Sequence, residues 1–406
     1  MYRRDDRQVL PLMSGPLDNL RVVSVEQAVA APFASRQLAD LGARVFKIER
    51  PGVGDFARDY DQVVNGMASH FVWINRNKES VAIDIKNAHG REVLDRLLDS
   101  ADVFIHNLAP DTSDRMGLSA AAVHARNPRI VACDISGYGA GGPLGTRRAY
   151  DLLVQAESAS ISVTGWPGRP AKPGIAIADI GAGMYAFSSI LAGLYARERT
   201  GVGCAVSVSL FDAICEWMGY TIYYSGYSGL PHLPSGVGHP SLSPYEAFET
   251  SDGLTIVIAV QNDREWVRLV ADVMHRFDLA QDASLATNNG RVARRDTVSA
   301  ECARWFGNHT FAEAAARLDA AEIAYAQLNG PSELLEHPQL AARNRWRDVE
   351  SPVGPIRSLL PPPVAPGWSP RMDPIPSIGE HTESVLVELG YRSEDLANLR
   401  EAGVIG

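Results

Sequence analysis

Between residues 20 and 136, short runs dominated by β-branched residues alternate with helix-like stretches, and this alternation constrains the fold more than any other feature. LRVVSV, from Leu20, reads as a buried strand. EQAVAAP follows as a turn, Pro32 suits the first turn of a helix, ASRQLADL continues it, and Gly42 supplies a C-cap. ARVFKIE is the next strand. A βαβ unit of this kind demands parallel pairing and a right-handed crossover. ESVAIDI, DVFIHN and RIVACDIS continue the series, with HGREVLDRLLDSA and SAAAVHARNP as helices. The expected fold is therefore α/β with a doubly wound sheet.

A long apolar helix is expected from about Ile180 to Arg199, ending at Thr200–Gly201, then a strand and helix through AVSVSLFDAICEWMGYTIYYSGY. Near Ser228 the chain turns rich in Gly, Pro and Ser, which marks a linker or loop. DGLTIVIAV then opens a second unit with two or three helices up to about Glu336. SPVGPIRSLLPPPVAPGWSP reads as an extended crossing segment, and the tail from His381 as helical. The expected division is a leader over 1–15, a large Rossmann-like parallel-sheet domain over 16–227 and a smaller α+β domain over 228–336. Residues 337–406 form a return segment and C-terminal helix packed on the large domain.

A chain of 406 residues is long enough for two such cores. Its net charge of −10 argues against general nucleic-acid binding, which needs a basic face. A phosphorylated small molecule held by a local cation cluster remains compatible. The four cysteines, Cys133, Cys204, Cys215 and Cys302, have no CxxC spacing and read as buried free thiols in a reducing compartment. The leader MYRRDDRQVLPLMSG lacks an apolar core of useful length, and the apolar run Ala182 to Tyr195 is short for a bilayer span. A cytoplasmic protein is expected.

GYGAGG, Gly137 to Gly142, satisfies G-x-G-x-x-G, but Pro143, Gly145 and two arginines follow where a dinucleotide site would open into a helix. Asp179, at the head of the long apolar helix, fits two roles: an N-cap, or a carboxylate nucleophile beside backbone N–H donors. Both use the same geometry, and Gly181 and Gly183 would admit a substrate close to the backbone. Arg50, Arg76, Lys78 and Arg115 are placed just after strands, where an open α/β sheet lines its ligand crevice. His106, His239 and His381 stand beside motif-like residues, but no histidine pair has metal-ligand spacing, so no metal is expected. No GxSxG elbow is present.

Six blocks in order resemble the family III CoA-transferases, the group that also includes the α-methylacyl-CoA racemases. They are LADLGARVFKIERPGVGD (38–55), NRNKESVAIDIK (75–86), NLAPDTSDRMGL (107–118), DISGYGAGGP (134–143), IADIGAGMYA (177–186) and GEHTESVLVELG (379–390). The resemblance implies an interlocked homodimer, acyl-CoA and a carboxylic acid as substrates, and no prosthetic group. It implies that Asp179 is the nucleophile, passing through aspartyl anhydrides and an aspartyl-CoA thioester. It carries CoA contacts onto Arg50, Asn77, Lys78, Asn107 and Arg115, beside Arg76. Val29 stands where a formyl-CoA enzyme has a glutamine near the acyl group, and Gln27 replaces a histidine, so a formyl or oxalyl substrate is disfavoured. The racemase branch would need a His before Asp151 and a Glu near position 262; this chain has Tyr150 and Asn262. Tyr150 at its usual pKa is a poor base, but its hydroxyl suits an acyl or carboxylate group. The chain looks most like bacterial succinyl-CoA-dependent enzymes acting on itaconate, mesaconate or citramalate. Arg147, Arg148 and His239 are the candidates for a distal carboxylate.

Overall fold

The six expected strands pair in register, in a computed structural model that describes residues 15–406. They are β1 (Arg21–Val25), β2 (Arg44–Glu49), β3 (Lys78–Ala82), β4 (Val103–His106), β5 (Val131–Ser136) and the Cys204–Ser209 strand. Their order is β3-β2-β1-β4-β5 followed by Cys204–Ser209, and every pairing is parallel. The order reverses between β1 and β4. In an open α/β sheet, the crevice beyond the carboxyl ends of two such strands is where ligands bind.

Helix α1 (Ala30–Asp40) returns the chain from β1 to β2 and is buried along its whole length. It packs against the Ile177–Thr200 helix, which begins three residues before the expected start and runs 24 residues. That helix is long and apolar enough to cross a membrane by length and composition. It is a core helix in this fold, packed on α1 and β5. Beneath the sheet, Val23, Phe46, Ile48 and Phe104 meet Leu94 and Leu97 of the Ala88–Asp99 helix. Val385, Leu386 and Leu396 of the two C-terminal helices, Thr382–Glu388 and Ser393–Glu401, close the same core.

The chain divides into two units. The first holds the described residues up to Ser160, Pro173–Ile222 and Arg343–Gly406; the second holds Ile161–Lys172 and Tyr223–Ala342. These bounds differ from the 227/228 and 336/337 junctions read from the sequence. The Ile161–Lys172 segment joins the second unit through backbone pairing, Gly236 N–H donating to the Gly165 carbonyl at 2.6 Å.

In the second unit, Tyr245–Glu249, Thr255–Ala259 and Ala324–Gln327 form an antiparallel sheet around a core with Trp266, Phe306 and Leu318. Five short α-helices lie between its second and third strands, where two or three were expected. The surplus has a local cause: Asn262, Thr287 and Thr310 each accept from backbone N–H groups and start a new helix. The Pro-rich return begins as a hairpin, Trp346–Val349 pairing with Ile356–Leu359, before it becomes irregular.

Candidate active site

The loops after β1 and β4 are tied to each other. Asn107 Nδ2 donates to the Gln27 carbonyl at 2.7 Å, and Gln27 N–H donates back to Asn107 Oδ1 at 3.0 Å. Asn107 was expected to contact CoA; here its amide joins the two loops at the switch point. His106 supports the same corner. Its Nδ1 accepts from Leu108 N–H at 3.2 Å and its Nε2 lies 2.6 Å from Asp134 Oδ1. Ala28 takes a left-handed conformation, φ 60°, which costs a residue with a Cβ about 1–3 kcal/mol. Its N–H donates to Asp55 Oδ1 at 3.0 Å, which holds the turn.

A buried charge network anchors this turn from below. Glu26 accepts from Lys78 Nζ at 2.7 Å and Lys47 Nζ at 3.2 Å, and from the hydroxyls of Ser24 and Ser35 at 2.5 and 2.6 Å. Lys47 also donates to Asp55 Oδ2 at 2.8 Å. Burial alone would raise the Glu26 carboxyl, but Lys47 and Lys78 outweigh it and hold Glu26 well below the usual range. Burial and the neighbouring Lys47 push Lys78 down instead. Two lysines and two carboxylates thus share one dry site, each with a partner.

This arrangement corrects the expected cation row. Arg50 does follow β2 and is exposed, its Nη2 3.4 Å from the Gly54 carbonyl. Arg115 is exposed at the end of the Pro110–Arg115 helix, donating to Thr112 Oγ1 at 3.3 Å. Arg76 and Lys78, however, stand at the amino end of β3 and are buried. Arg76 forks onto Asp40 at 2.9 and 2.7 Å, and Asn77 donates to the same carboxylate at 2.7 Å. Asn77 also accepts from Asp373 N–H at 2.5 Å. Two of the four cations, Arg50 and Arg115, are left open to a ligand. Asn75 and Ser80, flanking this run, are likewise structural.

Asp179 is not the N-cap of its helix. The cap is Ala176, which has no side-chain acceptor, and Asp179 is the third helical residue. Asp151 does the capping from another helix: its Oδ1 accepts from Ala178 N–H at 2.9 Å and from Asp179 N–H at 3.3 Å. Gln155 Nε2 steadies the other oxygen, Oδ2, at 2.6 Å. With the helix start satisfied by Asp151, the Asp179 carboxyl is free of that duty. Burial, with a contribution from Asp151, raises its pKa to about 7. Tyr60 belongs to the same neighbourhood. Burial, then Asp55, Asp179 and Tyr150, push its phenol up to about 12. Tyr60 carried no sequence signal, because one Tyr in FARDYDQ has no spacing to give it away.

Gly181 and Gly183 do not open a path for substrate. A Cβ on Gly181 would lie 3.2 Å from the Trp217 ring, and one on Gly183 would lie 2.7 Å from the Ala30 carbonyl and 3.1 Å from Phe33. The glycines let the helix sit tightly on its neighbours. Val29, expected near the acyl group, is buried with Phe33, Ile74 and Ile180. Through that cluster the start of the Asp179 helix meets the start of α1, beyond the carboxyl end of β1. Gln27 is half-buried in the same turn.

Tyr150 is 63% exposed and precedes Asp151 directly. Arg147 is paired with Glu157 at 3.1 Å, while exposed Arg148 forms no ion pair among the described residues. In the second unit, His239 stacks on Tyr245, and its backbone N–H donates to the Tyr245 carbonyl at 2.8 Å. Arg295 binds the carbonyls of His239, Pro240 and Leu242, so the 236–241 loop is pinned in this structure. Burial, Arg295 and His232 hold His239 below its ordinary pKa, which makes it a weak cation for a carboxylate. Asn262 caps the Asp263–Arg268 helix. His381 N–H donates to the Ser80 carbonyl at 3.0 Å. Cys133 and Cys302 are buried, whereas Cys204 and Cys215 are half-buried, which corrects the expectation for those two.

A carboxyl with a pKa near neutrality at a helix start, with the Tyr60 phenol in its neighbourhood, suits nucleophilic acyl transfer. Comparison with known proteins identifies the family. Residues 17–382 match the model of CoA-transferase family III. The chain is 33% identical to a succinate–glutarate CoA-transferase of Agrobacterium fabrum, over 94% of this chain and 97% of that protein. It is 32% identical to a succinyl-CoA:glutarate CoA-transferase of Mus musculus, over 96% and 90%. A crystal structure of a CAIB/BAIF family protein from Brucella suis superimposes with a TM-score of 0.81 at 31% identity, covering 93% of this chain and 100% of that one.

Proposed function

The chain belongs to CoA-transferase family III, and from that premise we propose that it moves CoA from succinyl-CoA to a five-carbon dicarboxylic acid through covalent intermediates on Asp179. The observation that carries this reading is the Asp179 carboxyl, relieved of capping by Asp151 and titrating near the working pH.

Each step follows from a carboxylate acting as nucleophile. Asp179 attacks the thioester carbonyl, and CoA leaves the tetrahedral adduct as thiolate, giving an aspartyl–succinyl mixed anhydride. The thiolate attacks the aspartyl carbonyl, releasing succinate and leaving an aspartyl-CoA thioester. The acceptor carboxylate displaces CoA to form a second anhydride, and the thiolate then attacks the acceptor's acyl carbon. The new CoA ester departs and Asp179 is a carboxylate again. Thioester and anhydride are exchanged at similar energy, so no phosphate-bond hydrolysis is required. Water has to be kept from both intermediates. The Tyr60 phenol, held neutral by its raised pKa, is a hydrogen-bond donor for the developing oxyanion, as is Tyr150.

The acceptor assignment joins two lines of support. The relatives named above act on glutarate by name, and the sequence blocks resemble enzymes for itaconate, mesaconate and citramalate. All four are five-carbon dicarboxylates. Arg148, exposed and without an acid partner among the described residues, takes the distal carboxylate in this reading. Arg50 and Arg115 take the nucleotide end of CoA. The protein works as a homodimer, its second copy covering the Gly219–Ser228 helix, whose Tyr220, Ile222, Tyr223 and Tyr227 are more than half exposed.

The test is a panel assay. Purified protein with succinyl-CoA and glutarate, itaconate, mesaconate, citramalate, oxalate or formate is analysed for new CoA esters by mass spectrometry. Esters of the five-carbon diacids, absent in Asp179→Ala, support the reading. Transfer to oxalate or formate alone would replace the acceptor assignment.

A further inference from the structure

A cavity of about 370 Å³ lies in the first unit at the opposite end of α1 from Asp179. Asp40 and Leu41, where α1 ends, line it. The Asp179 helix meets α1 at its other end, around Val29 and Ala30. The 11 residues of α1 separate the two places by about 16 Å of helix.

One wall of the cavity carries Arg343, Arg345 and Arg347, spaced every second residue along the return segment. None of the three forms an ion pair among the described residues. Arg345 Nη2 donates to the Leu360 carbonyl at 2.7 Å and to that of Pro361, which fixes its guanidinium against the wall. Arg347 Nη1 donates to the Asn344 and Trp346 carbonyls, both within three residues of it in sequence. Burial, then Arg343 and Arg347, lower the pKa of Arg345, as unneutralised cations crowded together must. The acid in the wall, Asp40, is already committed to Arg36 at 2.6 Å and to Arg76 at 2.7 Å. Among the described residues, cations therefore outnumber acids at this spot, on a chain whose net charge is −10.

The rest of the lining is apolar. Pro361, Pro363 and Val364 contribute, and the Trp368 indole is 45% exposed. Guanidinium groups bind phosphoryl oxygens in pairs. A flat apolar surface beside them takes the organic part of the same ligand, and the volume suits a small molecule.

We propose that this cavity binds an organic phosphate, its phosphoryl oxygens on Arg343, Arg345 and Arg347 and its organic body against Trp368. The site is separate from the one that holds acyl-CoA for transfer, and its occupancy does not depend on the chemistry at Asp179.

The probe is ADP, titrated calorimetrically into the full-length protein, with inorganic pyrophosphate as competitor. The variant is the double charge reversal Arg343→Glu/Arg347→Glu, at side chains that make no tertiary hydrogen bond among the described residues. Circular dichroism checks its fold, and Arg343→Gln replaces it if the reversal unfolds the protein. The KM for succinyl-CoA is measured in parallel, because an acyl-CoA site can itself hold ADP. We expect the Kd for ADP to rise about tenfold or more in the variant, pyrophosphate to compete, and the KM to stay within about twofold. Quenching of tryptophan fluorescence by ADP should disappear in Trp368→Leu. No binding of ADP at millimolar concentration, or a Kd unmoved by charge reversal, would overturn the proposal. So would a parallel rise in Kd and KM, which would assign ADP to the acyl-CoA site.

Discussion

The Asp151 carboxylate accepts a hydrogen bond from the Asp179 backbone at 3.3 Å while its negative charge opposes ionisation of the Asp179 side chain. One residue thus does two things for the other. It satisfies the N–H groups at the helix start, and it adds to the burial that brings the carboxyl to about 7. A better nucleophile results than from an ordinary aspartate, which favours the attack on the thioester.

The pH dependence of transfer follows. Asp179 must be ionised to attack, so kcat/KM for the acyl-CoA rises with pH and levels off above about 7. In Asp151→Asn the amide oxygen still caps the helix but the charge is gone. The acid limb then moves to lower pH, with little change in stability. A limb that stays in place would exclude Asp151 as a contributor.

Stability carries the opposite signature. Asp179 binds its proton more tightly in the folded protein than in the unfolded chain, where it titrates near 3.8. Between these values the folded state holds more protons, so stability falls as pH rises toward 7. Asp179→Asn removes that penalty. The variant should match the wild type below pH about 4 and gain on the order of 1–2 kcal/mol at pH 8, the partial exposure of the group reducing the full linkage value. Urea denaturation at both pH values measures this, and an equal difference at the two would contradict it.

The charge network beneath the Ala28 turn is expected to be unforgiving. Lys47→Met leaves Asp55 and Glu26 short of a cation in a dry site, which costs about 3–5 kcal/mol. The same change should lower activity in the fraction that remains folded, because Asp55 also holds Ala28 in place. Urea denaturation and the activity of the folded fraction check this. A loss below about 1 kcal/mol would mean that water reaches the network.

The two glycines near Asp179 should respond unequally. Gly183→Ala pushes a methyl against the Ala30 backbone carbonyl and should cost about 1–3 kcal/mol. Gly181→Ala meets the Trp217 ring edge at 3.2 Å, and the half-exposed indole can shift. Its cost should be smaller. Thermal denaturation of the pair decides whether backbone contact is the constraint.

The parallel sheet was legible because β-branched runs and helical stretches alternate from Leu20 to Ser136, a local pattern that survives burial. Asp179 was singled out by its place before a long apolar helix, and its chemistry by resemblance. Its relation to Asp151 was not visible, because the two are 28 positions apart and a cap supplied by another helix leaves no spacing in the sequence. The run Arg76-Asn77-Lys78 misled for a related reason. Consecutive polar residues usually face solvent, and only the Asp40 and Glu26 carboxylates, distant in sequence, make their burial affordable. Val29 and the glycines were read for the ligand they might meet, whereas tertiary packing had already filled those spaces.

The central claim, that Asp179 becomes covalently acylated, is tested most directly by oxygen labelling. The acceptor acid is supplied with both carboxyl oxygens as ¹⁸O, and the protein is digested after turnover with the acyl-CoA. In the proposed sequence one acceptor oxygen remains on Asp179 each time the second anhydride is broken at the acceptor's carbon. The account predicts ¹⁸O in the peptide containing Asp179, dependent on the acyl-CoA. New CoA ester formed with no label in that peptide would contradict it.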